Sequence, residues 1–123
     1  GTGVPGYSGD GGQAVTADLG IVKRIAIDPM DNLWMIDDGV SGSTGSRIRK
    51  VDRLSGVITT EIGGGRQPAS EGSLIEDAYL SASALAIHGT NKVYLADATQ
   101  HRIWQADVSD NHLDPPRSSV LET

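Results

Sequence analysis

The chain has 123 residues, 37% of them hydrophobic, with two Trp, three Tyr and no Phe, so one ordinary domain with a core of Ile, Val, Leu and Ala is expected. Ten Lys and Arg against sixteen Asp and Glu give a formal charge of −6, which argues against a phosphate-binding surface and hence against nucleic acid. There is no cysteine, which excludes disulfide scaffolding, thiolate zinc sites and a cysteine nucleophile, and no apolar run approaches the roughly 20 residues that span a bilayer.

Residues 1–19, GTGVPGYSGDGGQAVTADL, are rich in Gly and read as turns, with a short helical turn at 16–19. The first strand is expected at 24–28. PMDN (29–32) forms a tight turn because Asp and Asn tolerate positive φ. A second strand at 33–36 leads into a polar loop, DDGVSGSTGS (37–46). The third strand is 47–51, RLSG (53–56) turns the chain, and the fourth strand is 57–62. Strands joined in order by tight turns form an antiparallel meander.

The chain then repeats itself. Ile27 and Ile87, Leu33 and Val93, and Asp37 and Asp97 are each 60 positions apart. Gly3, Gly11, Ala17 and Leu19 recur 61 positions on as Gly64, Gly72, Ala78 and Leu80. The second set of strands is expected at 84–87, 92–96, 102–106 and 119–122, with another helical turn at 77–80. Arg47 and Arg102 are only 55 apart, so the loop after the second strand is shorter in the second copy. VSDNHLDPPR (108–117) reads as a Pro-containing insertion loop. Residues 1–65 and 66–123 are thus two versions of one unit.

Tandem four-stranded meanders are the pattern of a β-propeller. The expected fold is all-β, a propeller segment of two blades. The segments GYSGDGG (6–12), an Ala-x-Leu step (17–19), IAID (25–28), NLWMID (32–37), RIRKVD (47–52) and SGVITT (55–60) together resemble the NHL-repeat propeller family. The resemblance covers both units and is stronger in the first. The first unit departs from it in its extended 37–46 loop. The second departs at LAIHG, where His88 stands in place of Asp28, and in its Pro insertion. The resemblance implies six blades to a ring and an extracytoplasmic or cell-surface setting.

Two blades leave apolar sheet faces uncovered, and repeat arrays need about three units or more. The expected partner is therefore protein, either further blades of a longer chain or copies of this chain closing a ring. A start at Gly1 rather than Met fits an excerpt from, or a processed form of, a longer protein. In a meander, successive connections alternate between the two ends of the sheet. GYSGDGG, the 37–46 loop, GRQPASEGS (65–73) and DATQH (97–101) are expected at one end, with PMDN, RLSG and the Pro insertion at the other. Long loops on a rigid scaffold usually carry function. The candidate binding residues are accordingly Tyr7, Asp10, Asp37, Asp38 and His101.

Asp37 and Asp97 end the second strands. They are expected to cap loop N–H groups, or to pair with Arg47 and Arg102 at the start of the following strand. Asp37, Asp38 and loop carbonyls are donors of the kind calcium takes. No calcium loop of known spacing is spelled, so no cofactor or metal is assigned. His88, His101 and His112 lack zinc-ligand spacing. GTGVPG matches G-x-G-x-x-G, but no strand precedes it and no helix can follow it. No G-x-S-x-G elbow occurs. The favoured function is a non-enzymatic scaffold for protein–protein contacts. The alternatives are part of a lyase- or lactonase-type propeller enzyme whose metal site other blades complete, and glycan or peptide recognition by the loop end.

Overall fold

The computed structural model of the chain describes residues 1–40 and 45–115. The strands are β1 (Val22–Ile27), β2 (Leu33–Asp37), β3 (Arg47–Val51), β4 (Ile58–Gly63), β5 (Gln67–Pro68), β6 (Ala78–Tyr79), β7 (Ala82–His88), β8 (Lys92–Asp97), β9 (Arg102–Asp107) and β10 (His112–Asp114). β1-β2-β3-β4 form one four-stranded antiparallel sheet and β7-β8-β9-β10 a second.

Two expectations need correction. The fourth strand of the second sheet lies inside the stretch read as an insertion loop. Asp107 closes a turn by accepting from Ser109 N and Oγ, at 3.0 and 2.5 Å, and Asn111 takes φ 66 where the first unit has Gly56 at φ 71. The chain then returns along β9 as β10, which buries Leu113 completely. The strand expected at 119–122 lies outside the described residues. The second correction concerns the helical turns. The first is a 3-10 turn at Ala14–Thr16, and the second is a single turn that Asp77 N closes on Leu74 O, followed by extended chain at Ala78–Tyr79. There Gly65 N and Gln67 N donate to the carbonyls of Ala78 and Asp77, so β6 runs parallel to β5 and cannot coil.

Each sheet has a front and a rear, set by the alternation of side chains along its strands. Leu33, Met35, Arg49 and Val51 share the front of the first sheet by register, while Trp34, Ile36 and Ile48 share its rear. Both faces of β2 are buried, which explains its nearly continuous apolar run. The front packs against the stretch that leads into it (the first lead-in, residues 1–19; the second lead-in is residues 64–80), with Ala14, Ala17 and Leu19 over Met35 and Ile58. The second sheet repeats this with Ile75, Ala78 and Leu80 against Val93, Leu95 and Leu113. The second lead-in also meets the rear of the first sheet, so Trp34, Ile36, Ile48 and Ile62 belong to the same apolar cluster as the second sheet. β7 lies along β1 and β2.

The Gly-rich lead-in is not confined to one end of the sheet. It folds back along the outer edge of β4, where Gly11 N donates to Ile58 O at 2.8 Å and Ile58 N to Gly12 O at 3.0 Å. Gln13 Nε2 reaches Ser55 O, in the turn at the opposite end. Gly72 and Ser73 make the same pair of bonds to Leu113, at 2.7 and 2.8 Å. An open edge strand must have its polar groups satisfied or shielded, and each lead-in does this for its own sheet.

Candidate functional site

Three of the residues singled out by sequence, Tyr7, Asp10 and Asp37, converge on an arginine that was not among them. Arg49 is on the front of β3, and its side chain is only 1% exposed. The alternation RIRK places Arg47 and Arg49 on one face of the strand, and burial beneath the lead-in draws the second of them inward. Arg49 Nη1 donates to Asp18 O at 3.0 Å and to Asp37 Oδ2 at 3.3 Å. Its Nη2 donates to Ser8 O at 2.8 Å and to Asp10 Oδ1 at 2.9 Å. One guanidinium therefore ties the lead-in to the end of β2. A buried cation needs this many acceptors to offset its lost hydration.

Asp37 is fully buried, and its other bonds come from Gly20 N at 3.1 Å and Gly39 N at 2.9 Å. Its ionic partner is Arg49, although Arg47 is the residue directly opposite in register. Arg47 instead lies over Tyr7, with the guanidinium carbon 3.1 Å from the ring centre. Burial, and then the charge of Arg49, lower the pKa of Arg47. Asp10 bridges outward by accepting from Thr60 Oγ1 at 2.5 Å. Tyr7, Asp10 and Asp37 are thus one connected cluster.

The second unit builds the same place differently. Asp97 accepts from Thr99 N and Oγ1, from Gln100 N, and from Trp104 Nε1 at 3.4 Å. Trp104 stands 55 positions after Arg49, the same offset that relates Arg47 to Arg102. Where the first unit has a guanidinium, the second has an indole N–H. Arg102 does not pair with Asp97, because Trp104 holds that position and Arg102 stacks on the indole at 4.9 Å.

Asp38 sits at the junction between the units. It contacts Lys23 Nζ at 2.5 Å and accepts from Ser46 Oγ at 2.7 Å. Ser46 fastens the second unit to the first: its N–H donates to Leu80 O at 2.7 Å, and its Oγ accepts from Ala82 N at 3.0 Å. A cavity of about 140 Å³ opens here, lined by Asp38, Ser46, Tyr79 and Ser81 among others. His101 is not part of either cluster. It ends the turn between β8 and β9, exposed and at φ 55, 55 positions after Ser46.

The carboxylates offered as calcium donors are engaged by the chain itself, Asp37 with Arg49 and the N–H groups of Gly20 and Gly39, Asp38 with Lys23 and the Ser46 hydroxyl. No cluster of three or more His, Asp or Glu occurs among the described residues. No helix among them is long and apolar enough to cross a membrane. Sequence reasoning also gave no role to Asp28, which is 3% exposed and accepts from Met30 N, Asn32 N, Asn32 Nδ2 and Trp34 Nε1 at 2.9–3.0 Å. Burial pushes its pKa up, but these bonds together outweigh burial and leave it below the ordinary carboxylate value.

A different kind of site lies on the rear of the second sheet. Ala84, Ala86, Tyr94, Ala96 and Ile103 line an apolar hollow of about 180 Å³. Tyr94, Ala96 and Ile103 are the counterparts of Trp34, Ile36 and Ile48, which are 0% exposed under the second unit. Ile103 is 47% exposed. No protein-family model matches the chain, and no curated protein matches it.

Proposed function

We propose that the chain is a β-propeller segment of the kind its NHL-like motifs suggest, working without catalysis as a scaffold for protein–protein contacts in a larger protein or assembly. In this reading the two sheets are adjacent blades of a ring, with six blades as the resemblance implies. The observation that carries it is the open rear of the second sheet. The same positions in the first sheet are closed by a neighbouring unit, which supports reading the set left open among the described residues as a contact surface for protein. The carboxylates of the first lead-in, Asp10 and Asp18, support the reading, since both are engaged in holding the blade together.

The test is sedimentation velocity of the 123-residue chain across concentration, together with binding of a dye that fluoresces on apolar surface. The expected result is association, dye binding, or both. A compact monomer at every concentration that binds no dye would overturn the proposal.

A further inference from the structure

We infer that a second copy of this chain covers the open rear of the second sheet, seating its first unit there head to tail. The inference rests on the reading that this face is a contact between blades. The chain already displays the contact once. The rear of the first sheet meets the second lead-in, β7 lies along β1 and β2, and Leu85 and Ile87, on the front of β7 by register, are partly buried against the shared cluster. That contact is heterologous: a rear meets a front.

Both halves of a further contact of this type are exposed on one molecule. The free rear is the hollow formed by Ala84, Ala86, Tyr94, Ala96 and Ile103. The free front belongs to the first unit. Ile25 and Ile27 are the counterparts of Leu85 and Ile87, yet they are 66% and 59% exposed. Val15, in the lead-in of the same unit, is 74% exposed. Large aliphatic side chains at strand positions that are partly buried in the sister unit are the complement the hollow lacks. The contact between copies would lack one feature of the internal one. Ser46 clasps Leu80 and Ala82, whereas its counterpart is His101, so apolar packing carries the contact.

Two substitutions at exposed positions separate the halves. Ile27→Asp spoils the front, and Ala86→Glu spoils the rear. The wild-type chain is expected to associate reversibly in sedimentation, and each variant alone to remain monomeric. An equimolar mixture is expected to form a 1:1 heterodimer, because each variant keeps the half that the other has lost. A third variant guards against misfolding. Ala96→Ile restores the residue the first sheet has at Ile36, and should tighten association about tenfold through added apolar burial.

If Ile27→Asp still dimerises alone, the copies meet rear to rear; the inference then fails while the contact-surface reading stands. A wild-type chain that binds dye but stays monomeric has the same consequence. A wild-type chain that neither binds dye nor associates removes both. No heterodimer in the mixture, or no tightening by Ala96→Ile, also overturns the inference.

Discussion

Replacing Arg49 by Met tests whether the lead-in is held by charge or merely by shape. The side chains of Arg49 and Asp37 are 1% and 0% exposed, so Met would leave a carboxylate buried with N–H donors but no cation. Removing one partner of such a pair costs about 3–5 kcal/mol, far above an exposed ion pair. The carbonyl of Ser8 would lose its donor as well, and that of Asp18 would keep only the Ser8 N–H at 3.3 Å. Asp10 provides the control. Its side chain is 44% exposed, so Asp10→Ala should cost about 1 kcal/mol or less through the ion pair. Urea unfolding followed by tryptophan fluorescence and circular dichroism measures both. Arg49→Trp, which installs the residue the second unit uses, should retain more stability than Met because an indole N–H can still reach Asp37. The reasoning is refuted if Arg49→Met stays within about 1 kcal/mol of wild type, or if Asp10→Ala costs as much as Arg49→Met.

Other perturbations read other parts of the fold. Leu113→Ala should cost about 2–5 kcal/mol in urea unfolding, because the side chain is fully buried on β10; a surface-loop leucine would cost almost nothing. Gly20→Ala should destabilise by about 1–3 kcal/mol, since a Cβ there would lie 2.4 Å from the backbone of Gly39. Gly11→Ala should also destabilise, but through φ +86 with open space around it, so Gly11→Asn should recover part of the loss and Gly20→Asn none. Asp28 has a lowered pKa when folded, so its contribution is complete above the unfolded carboxylate pKa and disappears as pH falls through the lower folded value. Asp52, hydrogen-bonded by Ser55, and Asp107, hydrogen-bonded by Ser109, act in the same direction. Thermal unfolding between neutral pH and acid should therefore show stability declining, with a shallower decline in Asp28→Asn.

The repeat and the long strands were legible because their apolar residues recur at matching offsets. Ile27 with Ile87, and Leu33 with Val93, mark strands whose position depends mainly on local pattern. β10 was not legible. His112, Leu113 and Asp114 carry little strand preference of their own, and their conformation comes from pairing with β9 on one side and the lead-in on the other. Arg49 was hidden for a related reason. In a sheet with one wet face, the charged residues of RIRK would point to solvent; here the lead-in covers that face and supplies carbonyls to receive the guanidinium. Arg47 seemed the natural partner for Asp37 by register. The ring of Tyr7, distant in sequence, draws it elsewhere.

The second lead-in has two obligations, since it roofs the sheet that follows it and backs the sheet that precedes it. A cut after residue 65 would strip Trp34, Ile36, Ile48 and Ile62 of their cover. The stretch that recurs in the letters is therefore not a piece that could stand by itself. Lengthening such a repeat by gene duplication would require the seam to fall just ahead of a glycine-rich strap, so that every inserted sheet arrives with the lining its predecessor needs.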